Sequence, residues 1–263
     1  MWDQHFADDH QLGIMTGKCQ QGGAMMSKKS GVIGKRVEVL DQGWIELQDV
    51  MGDDLAIANA ARVSFLGESK GDEADKKLLF YLLRHRHTSP FEQVEFKFRV
   101  RAPLLVWWQW VRHRTWHVNA QSGRYTPFQQ YDFYQPSTWR RQSESNKQGS
   151  EGEIDHGDAE RLSGLLEAHY GRSFELYQQA LDAGVAKEQA RLFLAGFGVY
   201  YTWICKVDCH NLMHFLSLRM PPDAQAEIRA YAQAIYHHFF KPVLPWTAEA
   251  FGRYILEETD GSP

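Results

Sequence analysis

The sequence predicts a single α+β domain in which helices flank a sheet rich in antiparallel strands. Short apolar runs around Val37 and Ile45 flank the turn Asp41-Gln42-Gly43, a pattern typical of a β-hairpin. From Gln93 to Arg101, apolar and charged residues alternate, which predicts a strand with one buried face. Most other segments have helical character, and 263 residues are enough for one large domain.

Composition and charge narrow the class of protein. Hydrophobic residues make up 43% of the chain and aromatic residues 13%, which is enough for a sizeable core. The net charge of -4 argues against bulk affinity for nucleic acid, so any anion site must be a local cluster of arginines. Three cysteines, an odd number in a chain this long, do not make a disulfide framework, which favours a reducing, cytoplasmic setting: Cys19, Cys205 and Cys209.

No membrane segment is expected. The most apolar stretch, Leu192 to Cys205, is shorter than the roughly 20 residues that a spanning helix needs, and we expect it to be a buried core helix. Residues 1–35 are polar, lack the charged-then-apolar order of a secretory signal, and are expected to form a loosely ordered extension. Residues 36–263 are expected to form the folded domain.

The early helices are predicted from their ends. Asp53 or Asp54 is expected to cap a helix that runs through Ala61. A second helix is expected from Asp72 to Arg86, because acidic residues crowd its first turn and basic residues its last. A third is expected to start at Ala102-Pro103 and to continue to Trp116, since proline is tolerated in a first turn.

The second half of the chain is predicted to be mainly helical. Residues 135–160 are polar with almost no apolar anchor, which is typical of a functional lid or of disorder. Gly196 and Gly198 predict a close helix contact, a bulge or a break. The predicted helices are Arg161 to Ala183, Lys187 to Val207, Asp208 to Leu218, Asp223 to Phe240 and Trp246 to Leu256.

The stretch from Arg112 to Tyr125 is the most informative part of the chain. It directly follows an apolar run and holds four cations or potential cations: Arg112, His113, Arg114 and Arg124. Arginine forks match phosphate oxygens and are expensive to bury without an anion, so the cluster predicts a phosphate-bearing ligand. The alternative is a solvated basic helix end.

The spacing within this stretch resembles a known family. Arg112, His113 and Arg114, then seven residues, then Ser122, match the signature Arg-His-Arg-x7-Ser of the flavin-dependent thymidylate synthases. The match specifies four residue types, and further family-like segments flank it from about Arg36 to about Tyr254.

The resemblance implies a fold, a reaction and cofactors. Members of the family form homotetramers of a mixed α/β fold, and several subunits build each site. They bind FAD, take electrons from NADPH, and transfer a methylene group from methylenetetrahydrofolate to carbon 5 of dUMP. Small-molecule substrates are therefore the implied partners, with neither nucleic acid nor membrane among them.

The resemblance also implies roles for individual residues. Arg219 would be the catalytic cation that stabilises uracil ionised at nitrogen 3, although a helix C-cap interaction is the alternative. Arg191 would reach the nucleotide phosphate from a neighbouring subunit. The implied dUMP-binding residues are Gln109, Arg112, Gln121, Ser122, Gly123, Arg124, Arg191 and Arg219. The implied flavin-binding residues are His87, Ser89, Arg112, His113, Arg114, Asn119, Asp208, His210 and His214.

Three positions depart from the family pattern. Ala120 stands where the family commonly has Glu or Gln, so a hydrogen bond to nucleotide or flavin is lost or rerouted. Asp208-Cys209-His210 replaces an Asn-x-Arg segment that helps to hold flavin. The spacing near Gly196 and Gly198 is one residue longer than expected.

These departures leave alternatives open. A wider ribose pocket would admit UMP in place of dUMP, because a site that merely leaves room for a hydroxyl discriminates weakly. A non-catalytic RNA-binding module is a further alternative, since arginines are interleaved with Trp107, Trp108, Trp110 and Trp116. Core packing is the more common use of such tryptophans.

The sequence lacks the residue patterns of several other kinds of site. The sequence has no Gly-x-Gly-x-x-Gly after a strand and no Gly-x4-Gly-Lys-Ser/Thr, so we expect neither a dinucleotide fingerprint nor a P-loop. Cys205-x3-Cys209-His210 resembles half of a zinc site without the second half, so no metal is expected. No cysteine lies beside a recognisable general base, which argues against a thiol nucleophile.

Overall fold

Antiparallel strands form the centre of the computed structural model, which describes residues 31–147 and 149–256. The strands are β1 (Arg36–Val39), β2 (Gly43–Met51), β3 (Glu95–Pro103), β4 (His117–Ala120), β5 (Arg140–Gln142), β6 (Ser150–Glu153) and β7 (Tyr200–Asp208). Five of them form one sheet in the order β1-β2-β3-β7-β4, and β5 pairs with β6 in a separate hairpin. Every pairing is antiparallel. The predicted α+β class with an antiparallel sheet is confirmed.

Helices surround this sheet. They are α1 (Asp54–Arg62), α2 (Asp72–Arg84), α3 (Leu104–Trp110), α4 (His156–Asp182), α5 (Lys187–Ala190), α6 (Cys209–Arg219), α7 (Ala226–Ile235) and α8 (Pro245–Tyr254). A π-helical turn, Tyr236–Phe240, and the short turn Lys241–Val243 extend α7. None of the helices in the described part of the chain is long and apolar enough to cross a membrane.

The core lies between the sheet and the later helices. Phe96, Phe98 and Val100 of β3 are fully buried, as their alternation with charged residues predicts. The Phe98 ring packs 5.7 Å from that of Phe239, and the Phe96 ring 6.2 Å from that of Phe240. Each buried phenylalanine contributes roughly 1.5–3 kcal/mol, so β3 and the end of α7 hold each other in place.

Aspartate side chains cap the N-termini of two helices. The Asp53 carboxylate accepts a hydrogen bond from the Ala56 N–H at 2.9 Å, which confirms the predicted cap of α1. Asp208 caps α6 in the same way and accepts from the Asn211 N–H at 2.9 Å. Six predicted helices are found within a few residues of their expected bounds, namely α1, α2, α4, α6, α7 and α8.

The predicted helix from Lys187 to Val207 is wrong, and so is the buried helix expected from Leu192 to Cys205. The chain forms α5, two 3-10 turns at Arg191–Phe193 and Gly196–Gly198, and then β7. In β7, buried Trp203, Cys205 and Val207 alternate with more exposed residues. Because β3 and β4 flank this strand, an apolar run that resembles a core helix pairs as a strand instead.

Gly198 shows why the chain breaks there. A Cβ atom at this position would lie 2.2 Å from the Tyr170 hydroxyl oxygen, so only glycine permits this approach to α4. The two glycines predict a close helix contact, a bulge or a break, and the structure has the break.

The predicted helix from Ala102-Pro103 to Trp116 is too long. Strand β3 runs through Pro103, and α3 ends at Trp110. Trp116 is buried, with its ring centroid 5.2 Å from that of Trp110 and 5.2 Å from that of Phe215. The chain therefore turns inward after α3 and enters β4 directly.

Two polar segments contain more structure than their composition predicts. The described part of residues 135–160 includes the hairpin of β5 and β6 and the first turn of α4, so of the two alternatives disorder does not describe it, and a functional lid stays a prediction. Arg140 of β5 forms an ion pair with Glu227 at 2.5 Å. Of the expected extension, residues 1–30 lie outside the described residues. Residues 31–35 form a turn in which the Gly34 N–H donates to the Leu47 carbonyl at 2.7 Å.

Candidate functional site

Arg219 is held in place by two residues from a distant part of the chain. Its Nε–H donates to Nε2 of His113 at 2.9 Å. Its Nη1 donates to the Gln109 side-chain oxygen at 3.2 Å, and its Nη2 to the Gln109 carbonyl at 3.4 Å. We call these three residues the Arg219 cluster. It joins the end of α6 to the end of α3 and the turn after it.

His113 in this cluster is a neutral imidazole. A guanidinium has only donors, so the ring nitrogen that faces it must accept, and the proton must lie on Nδ1. The side chain is only 8% exposed. Burial, with the nearby charges of Arg219 and His214, lowers the pKa of His113 to about 4. The Phe215 ring, 4.9 Å from the imidazole between centroids, fixes its plane.

Arg219 remains a half-buried cation. Burial lowers the pKa of its guanidinium from the ordinary value. Three of the five guanidinium N–H groups donate to His113 and Gln109, which leaves two for a ligand.

A cavity of about 550 Å³ opens beside the cluster. It is lined by Arg112, His113, Arg114, Thr115, His214, Leu218 and Arg219. Arg112 and Arg114 are exposed, and within residues 31–147 and 149–256 neither makes a hydrogen bond or ion pair. Two unpaired guanidinium groups at one cavity suit a phosphate-bearing ligand.

A second cavity of about 320 Å³ shares His214 with the first. Its polar lining comes from Arg86, Thr88, His210, His214 and Ser217. The sequence reasoning placed Arg86 in α2 and missed it as a site residue. It lies past the helix end with φ of 57°, a conformation that glycine usually adopts. The available signal was three basic residues in a row at that end, His85, Arg86 and His87.

His87 and Ser89 line a third and larger cavity. Its volume is about 650 Å³, and its other walls include Ala61, Phe65 and Tyr81. Phe65 is 88% exposed, so this cavity has an uncovered apolar wall. The structure therefore separates His87 and Ser89 from the cavity lined by Arg112, His113 and Arg114.

A turn at Ser122, Gly123 and Arg124 forms a separate anion-binding candidate, which we call the 122–124 turn. The Ser122 hydroxyl accepts from the Arg124 N–H at 3.3 Å. A Cβ atom on Gly123 would lie 2.7 Å from the Phe128 ring, so a larger residue here would force that ring to shift. Arg124 pairs with Glu188 at 3.0 Å, and Arg191 donates to the Glu188 carbonyl at 3.1 Å. Arg191 thus lies beside this turn within one chain, although the resemblance implied a neighbouring subunit.

The remaining candidates lie around the edge strand β4 and the start of α6. Asn119 is exposed on β4, opposite Ile204 of β7. The Gln121 side-chain oxygen accepts from the Thr202 N–H at 3.3 Å, so β7 holds this amide. The Asp208 carboxylate accepts from the Asn211 N–H and also from its side chain at 2.6 Å, so this carboxylate is occupied by the helix cap.

The described part of one chain contains two groups of candidate residues that share no hydrogen bond or ion pair. No hydrogen bond or ion pair in residues 31–147 and 149–256 joins the Arg219 cluster to the 122–124 turn. The same residues contain no group of three or more potential metal ligands. Cys205 and Cys209 are buried free thiols, and burial raises the pKa of both, so neither is an available nucleophile.

Comparisons with known proteins find relatives over most of the chain. The family model described as thymidylate synthase complementing protein matches residues 46–246. A flavin-dependent thymidylate synthase from Thermus thermophilus is 47% identical over 84% of this chain and 80% of its own length. A flavin-dependent thymidylate synthase from Pseudothermotoga lettingae is 39% identical over 84% of this chain and 95% of its own length.

Solved structures are similar as well. The crystal structure of a UMP/dUMP methylase, PolB, from Streptomyces cacaoi bound with 5-Br dUMP superposes with a TM-score of 0.75 at 33% identity, over 83% of this chain and 98% of that one. The same methylase bound with 5-Br UMP gives a TM-score of 0.74. With the family model covering residues 46–246, the chain belongs to the flavin-dependent thymidylate synthase family of methyl-transferring enzymes.

Proposed function

We propose that the protein methylates carbon 5 of dUMP to give dTMP, with FAD as cofactor, methylenetetrahydrofolate as carbon donor and NADPH as reductant. The observation that carries this proposal is the Arg219 cluster, in which a half-buried guanidinium keeps two free N–H groups beside two unpaired arginines. Such a site favours an anionic ligand that presents hydrogen-bond acceptors.

Arg219 is the catalytic residue in this proposal. Cys205 and Cys209, the cysteines of the described residues, are buried and supply no nucleophile to attack uracil, so in this proposal carbon 5 is made electron-rich by negative charge on the ring. A preorganised cation stabilises charge at the position where it develops, and Arg219 is held in place before substrate binds.

The nucleotide is bound by both groups of residues. In this proposal the hydroxyl and backbone N–H groups of the 122–124 turn, with Arg191, bind the phosphate of dUMP. The Gln109 oxygen faces Arg219, so its free N–H₂ group presents donors to a ligand acceptor. Arg112 and Gln121 complete the nucleotide site.

The residues present fit a flavin with a diphosphate. Arg112 and Arg114 supply unpaired guanidinium groups, and the adjoining cavity supplies His210 and His214. FAD, when bound, supplies the transfer of reducing equivalents from NADPH to the transferred carbon. Its remaining contacts are assigned to His87, Ser89, His113, Asn119 and Asp208, of which Asp208 is the weakest because its carboxylate caps α6.

A homotetramer explains how the two groups of residues meet. Among the described residues, the Arg219 cluster and the 122–124 turn share no hydrogen bond or ion pair, and in this proposal a second copy brings one group to the other. Large apolar side chains are exposed close to Arg191, with Leu192 at 83%, Phe193 at 48% and Phe197 at 69%. Burying such residues between copies is favourable. Light scattering during size exclusion measures the mass. The expected cytoplasmic setting remains part of the proposal and rests on the cysteine count.

Spectroscopy and product analysis test the proposal together. The purified protein is expected to be yellow, to lose its flavin absorbance on addition of NADPH under anaerobic conditions, and to form dTMP once dUMP and methylenetetrahydrofolate are present. A colourless protein that forms no dTMP after reconstitution with FAD contradicts it.

A preference for UMP is the second candidate. The crystallised relative named UMP/dUMP methylase is 33% identical to this chain, and Ala120 removes a polar side chain expected near the nucleotide. Competition between dUMP and UMP in one reaction distinguishes the two, because a higher yield of methylated UMP would overturn dUMP as the main substrate. The RNA-binding alternative is not retained, since the chain belongs to a family of enzymes.

A further inference from the structure

We propose that His113 is the positioning residue of Arg219: as a neutral imidazole with its proton on Nδ1, it fixes the guanidinium toward the nucleotide, and its protonation stops methylation. This inference rests on the proposed function and assigns to His113 a role in addition to flavin contact.

The contact can form in only one protonation state. The Arg219 Nε–H donates to Nε2 of His113 at 2.9 Å, and an imidazolium has no lone pair to accept it. Protonation would also place two positive charges at hydrogen-bond distance. The Nε contact and the two Gln109 contacts together determine the plane of the guanidinium, because they use both of its sides.

The surroundings of His113 all act against protonation. Arg112 and Arg114 flank it in the chain, and Arg219 and His214 of α6 face it. Phe215 of α6 packs on its ring at 4.9 Å, and no carboxylate lines the cavity among the described residues. Burial together with Arg219 and His214 lowers the pKa of His113 to about 4. A bound anion beside Arg112 would raise that pKa toward the working range.

Two variants separate positioning from packing. His113→Gln keeps a side-chain oxygen that can accept from Arg219 but cannot be protonated in this range. His113→Leu has a similar volume and no acceptor. For each variant we would measure kcat from about pH 3.5 to 9 at saturating substrate and FAD, the Kd for dUMP by equilibrium dialysis, and the bound flavin by absorbance.

The expected pattern is specific to positioning. Wild-type kcat falls in acid with a slope of one proton, whereas His113→Gln, assayed at saturating FAD, lacks that acidic limb. At saturating FAD, His113→Leu has a kcat about 10- to 100-fold below that of His113→Gln, as loss of an orienting partner does, with the Kd for dUMP of the two variants within about threefold of each other. Equal kcat in His113→Leu and His113→Gln at saturating FAD, or an acidic limb that persists in His113→Gln, would overturn the inference.

A structural measurement tests the tautomer without turnover. In protein labelled with ¹⁵N-histidine, the His113 resonances, identified by their absence in His113→Gln, are expected to show a protonated Nδ1 and an unprotonated Nε2. A protonated Nε2 would overturn the inference even in an active enzyme. If wild type forms no dTMP at any pH while Nδ1 carries the proton, the proposed function fails and the geometry of His113 stands.

Discussion

Arg219→Ala is the most informative single substitution in this protein. It removes the cation at the centre of the cluster and leaves its two hydrogen-bond partners, His113 and Gln109, in place. The side chain is only half buried, so water can replace the lost donors, and the cost to folding is expected to be about 1 kcal/mol or less. Flavin should therefore remain bound while methylation stops.

The magnitude follows from the role of the guanidinium. Removing one preorganised donor from a developing charge costs about 100- to 1000-fold in kcat, which corresponds to about 3–4 kcal/mol. Arg219 supplies two free N–H groups and a full charge, so the loss should reach at least the lower end of that range. Arg219→Lys should recover only a small part, because a lysine cannot reproduce the fork held by His113 and Gln109.

Release of tritium from carbon 5 of labelled dUMP measures the reaction. Arg172→Ala is the matched control, since Arg172 forms an exposed ion pair with Glu175 at 3.0 Å on α4, and such pairs contribute little. Undiminished release by Arg219→Ala, in a protein with normal flavin content, would refute the assigned role.

Three further outcomes are expected. Ser122→Ala should lower kcat/KM for dUMP roughly 10- to 100-fold by removing a hydroxyl beside the phosphate, and an unchanged value would exclude the 122–124 turn from the nucleotide site. Gly43→Ala should lower the free energy of unfolding by roughly 1–3 kcal/mol, seen as a lower urea midpoint, because its Cβ would lie 2.0 Å from the Tyr231 hydroxyl oxygen and 2.6 Å from a backbone carbonyl. Gly164→Ala, which meets nothing within 4 Å, is its control, and equal midpoints would contradict the clash. Folded His113 has its pKa lowered to about 4 from 6.5, so below pH 6.5 the unfolded chain binds the extra proton. Stability is complete above that pH and should fall by up to roughly 3 kcal/mol toward pH 4, a loss that His113→Gln should lack in pH-dependent unfolding.

Local sequence patterns predict the elements that bury one face or begin at a capping residue. Strand β3 was predicted because its buried and charged residues alternate, and α1 because Asp53 is a capping residue. Strand β7 was misassigned because β3 and β4 flank it and its apolar run is nearly continuous. No local pattern distinguishes such a strand from a core helix.

The site was predictable in its residue types and not in its contacts. The spacing of Arg112 to Ser122 was visible in the sequence, but His113 and Arg219 are 106 positions apart, and only the packing of α6 against the turn after α3 brings them together. The premature end of α3 depends on burial of Trp116 against Phe215, which is also a long-range contact. Arg86 was missed because its left-handed backbone conformation lies outside the helix pattern that included it.

The most direct measurement is a crystal structure of the protein with FAD and dUMP bound. The account predicts that the two free N–H groups of Arg219 donate to the uracil ring, with His113 Nε2 still accepting from Nε and the phosphate on the 122–124 turn of a second copy. A nucleotide bound away from Arg219, with that guanidinium facing solvent, would contradict it.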